Sequence, residues 1–411
     1  MLEIKPRLRQ IDAISVEIEG EQKYVVRDPE EISAEALIVP PVVLYLLTMF
    51  DGEHTIDSIG RVFALKSGQE IPPGVLEELV ANLDQYHYLE NDNYRARRAQ
   101  VEAEFLAQPV RPARFAGKAY EDDPERLDEQ IESFFTAPGG VRSDGAIELP
   151  RAPLGLVSPH IDPHRGGPCA SYALDVIKSH EPADIYIIFG TAHQPTPLLY
   201  TLSLKPFATP YGTVEVDREF AEELEKRFGR DLRTGEFAHR GEHSIEFQVM
   251  YLHHALRNRR PFKILPILCG SFHQYLFDDQ NPEDDPAVQE FVAAIRATAQ
   301  ALDRKTCYIA GADLSHVGRK FGDLLDLSEG LVSEVSREDL EMLSHIERGD
   351  RSDLFDHFRA DGDARKICGL PPIYTMMACL GNEATGKLLK YDIALEPDTQ
   401  SLVSFCSMAF F

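Results

Sequence analysis

The length, composition and charge of the chain exclude several classes of protein. It has 411 residues, of which 43% are hydrophobic and 27% are charged, so collagen-like, coiled-coil and wholly disordered chains are excluded. At this length we expect about two or three domains. The formal net charge of −26 at pH 7 repels phosphate backbones, so a general nucleic-acid binder is disfavoured.

The N-terminal residues give no sign of membrane insertion or secretion. The apolar stretch 38–50 is interrupted by Pro40 and Pro41 and is too short to span a bilayer. The first ten residues carry charges and lack the apolar run of a secretory signal. We therefore expect a cytoplasmic protein that has no membrane partner.

Residues 1–98 are predicted to form a small α+β unit. Alternating apolar residues on both sides of Gly20 predict a β-hairpin, because glycine takes the positive φ that a tight turn needs. Three helices are predicted after it, with Thr55 as the N-cap of the second. This order resembles the small PqqD-like winged helices that recognise peptides. The basic cluster Tyr94–Arg98 lies at the end of the unit, so DNA binding is disfavoured and we prefer a structural or partner-docking module.

The remainder of the chain divides into a connecting segment and a larger domain. Residues 99–148 are charged and punctuated by proline and glycine, which predicts a linker or strap. From residue 149 to residue 411, short β-rich runs alternate with helical patterns. That alternation predicts an α/β fold, with a mixed or mostly parallel sheet flanked by helices. In such folds the functional site lies at the carboxyl ends of the strands.

Metal-capable and acid/base side chains follow three of the predicted strands in this domain. His160 and His193 come after two of them, and Asp313 and His316 come after a third. A hydrogen-bonded structural role would explain any one of these histidines. Packing does not explain the same placement at three strand ends, so we expect these residues to share one site.

Two further segments carry candidate functional groups. His243 and Glu246 share a helix face if Ser244 opens a helix, and such a pair can support a metal ligand or move a proton. The alternative is an ordinary helix start without chemistry. Cys368 precedes a Gly-Leu-Pro-Pro turn, from which its thiol could point into a cleft. The other cysteines fit apolar core patterns, and without a CxxC pair neither a disulfide framework nor a zinc ribbon is expected.

Seven short motifs follow one another in residues 150–411. In chain order they are SPH, FGTAHQ, TPYGTVEVD, EHSIEFQVMYL, ILPILCG, AGADLSH and CGLPP. This order resembles the Memo family, whose bacterial members are called AmmeMemoRadiSam system protein B. The resemblance implies a fold similar to the B subunit of class III extradiol dioxygenases, which hold a non-haem iron. It also implies that His160, His193 and Cys368 bind the metal and that Asp313 and His316 line the pocket.

The ligand chemistry and two departures from the family pattern leave the metal and the reaction open. Two imidazoles and a thiolate suit Fe(II), which we expect, as well as copper or zinc. Many members have Pro-His-Ala-Gly-Tyr where this chain adds Asp162, His164 and Arg165 near the site. Many have two adjacent histidines where it has His193-Gln194. The first change could alter the substrate or metal, and the second removes an acid/base group.

The first functional hypothesis is a dioxygenase-like, metal-dependent redox enzyme. The three ligands implied by the resemblance would hold iron and leave open positions, with His316 or His243 as the acid/base group. The substrate would be a small molecule or a peptide of unknown identity. The family's link to radical-SAM enzymes implies a partner from such a pathway.

Three alternatives stay open at this point. One is a metal-binding adaptor whose pocket is vestigial as a catalyst. Another is a metal-assisted hydrolase built on Asp313, His316 and Glu246, for which Cys368 would be dispensable. The third, nucleophilic catalysis by the Cys368 thiolate, ranks lower because it leaves the paired strand-end histidines without a role.

Overall fold

The chain divides into two compact units, Met1–Gln108 and Pro109–Phe411. The computed structural model describes residues 4–33, 35–144, 149, 151–277 and 280–411. Within the described part of the chain, no helix combines the length and the apolar character needed to cross a bilayer.

The first unit consists of an antiparallel sheet and four helices. Its strands pair in chain order, and its elements are β1 (Asp12–Ile18), β2 (Glu21–Arg27), β3 (Leu37–Val39), α1 (Pro41–Leu47), α2 (Ile56–Ser67), α3 (Val75–Gln85) and α4 (Asp92–Ala107). Glu19 and Gly20 both have positive φ between β1 and β2, which confirms the predicted hairpin. Thr55 accepts a hydrogen bond from the backbone of Ser58 and so caps α2, also as predicted.

Two elements of the first unit were not predicted, and each has a physical reason. The strand β3 has three residues, which is too short for an alternating pattern to be visible. The helix α4 is mostly polar and crosses residue 98, where the sequence pattern placed the end of the unit. Its buried residues, Tyr94, Val101 and Phe105, lie seven and four positions apart, which keeps them on one face.

The second unit is built on an eight-stranded sheet with the order β11-β13-β4-β10-β5-β9-β6, in which β12 also pairs with β13. The strands are β4 (Gly155–Ser158), β5 (Ile185–Thr191), β6 (Tyr200–Leu202), β9 (Lys263–Cys269), β10 (Thr306–Gly311), β11 (Asp313–Gly318), β12 (Gly386–Glu396) and β13 (Ser401–Phe410), with a separate hairpin of β7 (Phe207–Thr209) and β8 (Gly212–Val214). The four central strands β4, β10, β5 and β9 are parallel, and the outer pairs are antiparallel. The predicted mixed α/β fold is confirmed.

Helices cover both faces of this sheet. They are α5 (Pro124–Thr136), α6 (Val141–Asp144), α7 (Pro163–Ser179), α8 (Arg218–Phe228), α9 (Ser244–Leu256), α10 (His273–Phe277), α11 (Pro286–Leu302), α12 (Glu329–Arg348), α13 (Arg351–Ala360) and α14 (Leu370–Leu380), with short 3-10 helices at Glu236–Arg240, Pro282–Asp284, Arg319–Phe321 and Pro397–Thr399. In β5, Ile187 packs into the core formed with α8, α11 and α14, whereas Ile188 packs into the core formed with α5, α7 and α9. The sequence of a central strand that is buried on both faces is a nearly continuous apolar run, as in β5.

Residues 109–144, which we call the strap, belong to the second unit and pack against its α7 and α9 face. In α5, Leu127, Ile131 and Phe135 recur at helical spacing and are buried in the core shared with α7 and α9. Arg111 pairs by its backbone with Pro206 and Ala208, next to β7. The sequence predicts a linker or strap at 99–148; residues 99–107 lie in α4, residues 109–144 pack against the second unit, and residues 145–148 lie outside the described residues.

Candidate functional site

Three histidines meet at the carboxyl ends of the parallel strands. His160 follows β4, His193 follows β5, and His243 directly precedes α9. The ring centroids are 5.2 Å apart for His160 and His193, 5.3 Å for His160 and His243, and 4.7 Å for His193 and His243. One nitrogen from each ring lies within 4.8 Å of the others, a spacing at which they could hold a metal ion. We call these residues the histidine cluster.

The thiol of Cys368 joins the histidine cluster. Its Sγ lies 3.3 Å from Nε2 of His160. The hydroxyl of Thr191, at the end of β5, donates to the carbonyl oxygen of Cys368 at 3.0 Å. Gly369 is required beside it, because a Cβ at that position would collide with the carbonyl oxygen of Asp313. Cys368 therefore lies at the strand ends because the backbone of the next residue, Gly369, packs directly against the backbone of Asp313.

Asp313 holds the loop that carries His160. Its Oδ1 accepts hydrogen bonds from the backbone N–H groups of His160 and Ile161, at 2.9 and 3.0 Å. Its Oδ2 lies 3.6 Å from Nε2 of His160, whose Nδ1 is 2.8 Å from the carbonyl oxygen of Gly311. Burial lowers the pKa of His160, but Asp313 and Cys368 outweigh it and raise this pKa to about 9.

A glutamate that we did not single out from the sequence, Glu242, positions the other two histidines. It is 5% exposed and accepts hydrogen bonds from the backbone N–H groups of His193, His243 and Ser244 at 2.8–3.0 Å. Nδ1 of His193 lies 3.0 Å from its carboxylate. Burial raises the pKa of Glu242, but the neighbouring histidines and backbone donors hold it well below its usual value. The sequence did contain a signal for this role. Glu242 stands next to His243 at the start of a helix, where a carboxylate can accept hydrogen bonds from the free backbone N–H groups.

Glu246 does not join the histidine cluster, contrary to the role we gave it. Its carboxylate forms a buried ion pair with Arg111 and accepts from the hydroxyl of Tyr120 at 2.6 Å. It also accepts from the backbone N–H groups of Arg114 and Phe115. All of these partners lie in the strap, so Glu246 attaches the strap to α9. The predicted helix start at Ser244 is confirmed.

His316 and Asp313 do not follow β10 as the sequence suggested, because the chain turns at Ala312 into the antiparallel strand β11. Asp313 opens that strand and His316 lies within it. The Nδ1 of His316 is 3.0 Å from the carbonyl oxygen of Leu314, and its ring meets Phe321 edge-on. His316 is nevertheless one of the neighbours that lower the pKa of the Cys368 thiol.

The residues that distinguish this chain near the first motif lie at the start of α7. Asp162 caps that helix by accepting from the backbone of His164 at 2.9 Å. His164 is exposed, and Arg165 pairs with Glu396. These contacts place His164 and Arg165 at the surface beside α5 and β12.

A cleft of about 740 Å³ opens beside the histidine cluster. His193 and Cys368 line it, and Phe272, Leu276 and Leu370 supply apolar walls. His273 and Asp363 also line the cleft and pair with each other at 2.6 Å. The cleft gives a small molecule a route to the thiol of Cys368 and to the imidazole of His193.

The thiol of Cys368 is expected to react selectively in the metal-free protein. Burial raises its pKa, but His160, His316 and His193 outweigh burial and lower it to about 5. The other five cysteines are buried, and burial raises their pKa. At about pH 6 iodoacetamide should therefore alkylate Cys368 alone, as peptide mass spectrometry would show. Labelling of Cys368 only above about pH 8.5, the range of an ordinary thiol, would contradict this.

Comparison with known proteins identifies the family that the chain matches. The sequence pattern of the family described as Memo-like protein matches residues 111–409, which include all but the first two residues of the strap. A MEMO1 family protein of Aquifex aeolicus is 28% identical over 410 residues, covering 99% of this chain and 100% of the relative. One of Thermus thermophilus is 24% identical over 351 residues, covering 85% and 97%. One of Methanobrevibacter smithii is 26% identical over 310 residues, covering 73% and 99%.

The family pattern covers only the second unit, whereas one of the relatives also matches the first. The family pattern begins at Arg111, within three residues of the start of the second unit at Pro109. The alignment with the Aquifex relative also spans the first unit, which our sequence resemblance left outside. The family pattern covers most of the residues and contains every strand of the main sheet. The chain therefore belongs to the Memo-like protein family.

Proposed function

We propose that the protein is a metal-dependent redox enzyme in which His160, His193 and Cys368 hold iron(II). The observation that carries the proposal is the way in which both imidazoles are held. Nδ1 of His160 faces the carbonyl oxygen of Gly311, and Nδ1 of His193 faces the carboxylate of Glu242. Metal-binding histidines almost always hold their second nitrogen in this way.

The donor set fits a metal ion. Nε2 of His160 is turned toward Cys368, and the thiol also lies within hydrogen-bond reach of His193. Because the pKa of Cys368 is lowered to about 5, the thiolate form that binds metals is present at neutral pH. Imidazole and thiolate suit iron, copper and zinc, of which the first two supply one-electron chemistry when bound.

The other residues of the site have distinct roles in this proposal. Glu242 orients His193 and accepts from the backbone of His243, while Asp313 fixes the loop of His160. Burial lowers the pKa of His243 to about 3, so its imidazole is neutral and can accept a hydrogen bond from a substrate. The adjacent cleft offers such a substrate apolar walls next to His193 and Cys368.

Elemental analysis of protein purified without oxygen tests the proposal. We expect close to one equivalent of iron in the wild type, and its loss in His160→Ala and in Cys368→Ala, because each variant removes a ligand. Cys307→Ala is the matched control, since that thiol is buried in β10 and lies outside the site. An absorption spectrum on exposure to air would follow oxidation of the metal.

Two outcomes would contradict the proposal. If the wild type took up no metal, even after reconstitution, a thiol site or a binding scaffold would be the remaining interpretations. Retention of metal in Cys368→Ala together with hydrolytic activity would favour the metal-assisted hydrolase instead.

A further inference from the structure

A second group of metal-capable side chains lies on the helices α12 and α13. The two helices follow each other through a short turn at Gly349 and Asp350. Each carries an acid four residues before a histidine, Glu341 with His345 on α12 and Asp353 with His357 on α13. Residues at this spacing share a helix face, so each pair presents a carboxylate and an imidazole together.

The two pairs face each other. One ligand atom from each of Glu341, His345 and His357 lies within 4.8 Å of the others. The imidazole rings of His345 and His357 are 5.8 Å apart, and Nδ1 of His345 lies 3.6 Å from Oδ2 of Asp353. The side chains of the histidines are 16% and 13% exposed, so they are sheltered and still reachable from solvent.

Each of these histidines has one ring nitrogen in contact with an arginine. An arginine can only donate hydrogen bonds, and Arg348 lies 2.9 Å from Nδ1 of His345 while Arg365 lies 3.0 Å from Nε2 of His357. In these two contacts the imidazole nitrogen accepts, so its lone pair is directed at the arginine. Glu338 adds a third carboxylate, 3.7 Å from His357.

We propose that Glu341, His345 and His357, with Asp353 beside them, form a second site for a divalent transition metal of the zinc class. Imidazole and carboxylate ligands suit zinc, nickel and copper(II), and the set contains no thiol. The ion competes with the arginines for the two lone pairs. Arg348 yields readily because its contact with His345 is exposed, and exposed contacts of this kind contribute little to stability.

An ion at this second site links α12 to α13. The latter helix supplies Phe358 and Arg359 to the wall of the cleft beside the histidine cluster. The second site therefore holds one wall of that cleft in place, although none of its ligands belongs to the histidine cluster.

Titration of the full-length protein with cobalt(II), followed by absorption, tests the second site. We expect two equivalents to bind to the wild type, and only the site that contains Cys368 to give a thiolate charge-transfer band. The double variant His345→Ala/His357→Ala should lose one equivalent and keep that band, whereas Cys368→Ala should lose the band and keep the other equivalent. His54→Ala, which removes an exposed histidine paired with Asp51, is the control and should change neither.

A variant at an exposed position makes the test sharper. Arg348→Ala removes the competing donor at an exposed position, so it should tighten cobalt binding at the second site, whereas Glu341→Gln should weaken it by at least about 10-fold. An unchanged stoichiometry in the double variant, or an unchanged affinity in Arg348→Ala, would overturn the proposal. Absence of the thiolate band in the wild type would count against the first site alone.

Discussion

Replacement of Arg111 by methionine is expected to lower the free energy of unfolding by about 3–5 kcal/mol. Arg111 is fully buried, and its guanidinium pairs with Glu246, which is 1% exposed. It also donates to the carbonyl oxygens of His239 and Glu242, at 2.9 and 2.7 Å. Without the guanidinium, the carboxylate of Glu246 stays buried as an unpaired charge. Urea denaturation of the wild type and the variant would measure the difference.

A second substitution separates the charge from the packing. In Arg111→Met/Glu246→Gln the buried charge is gone, and the amide oxygen of the glutamine can still accept from Tyr120 and from the strap backbone. We therefore expect the double variant to be more stable than Arg111→Met alone. A single variant within about 1 kcal/mol of the wild type would mean that water reaches Glu246 and that the strap is loosely attached.

Replacement of Glu242 by glutamine is expected to weaken metal binding by about 10- to 100-fold. The carboxylate is the partner of Nδ1 in His193 and accepts from the backbone of His193 and His243. An amide keeps the size of the side chain but removes the negative charge and one acceptor. The ring of His193 is then less firmly oriented and less basic. Competition with a chelator of known affinity would measure the change.

The matched control for this experiment is Glu236→Gln. Glu236 is half-buried and accepts hydrogen bonds from Ser203 and from the backbone of Leu204, so the same substitution also alters a hydrogen-bonded carboxylate. It has no described contact with the histidine cluster, and metal affinity should not change. Equal losses in Glu242→Gln and Glu236→Gln would show that the effect arises from stability and not from orientation of the ligand.

The strand-end histidines could be predicted because the signal is local. Each follows an apolar run that is buried as a strand, and parallel strands bring their carboxyl ends to one edge. For His160 and His193 the sequence positions alone were enough to indicate a common site. His243 was a separate candidate, for which an ordinary helix start without chemistry stayed open, and the structure brings it together with these two histidines.

The roles of Glu242 and Glu246 could not be assigned in the same way. Glu242 lies just before α9, and Glu246 lies in the first turn of that helix. Which of the two faces the histidines depends on how α9 packs against β5 and β10. Gly311 permits that contact, because a Cβ there would lie 2.5 Å from the carbonyl oxygen of Ser244. The partner of Glu246, Arg111, lies 135 residues earlier in a segment whose composition suggested a linker. Such long-range pairings leave no periodic pattern in the sequence.

The position of β4 in the sheet has a consequence for how the protein folds. Val157 of β4 pairs with Ala310 of β10 on one side and with Met408 of β13 on the other, about 150 and 250 residues further along the chain. Neither neighbour exists while the first half of the chain is being synthesised. Contacts between residues so far apart in the sequence form slowly, because a long loop must close before any pairing stabilises it. The contact between Cys368 and His160 likewise joins residues 208 positions apart, so the metal site proposed above can assemble only after both parts of the chain have been synthesised.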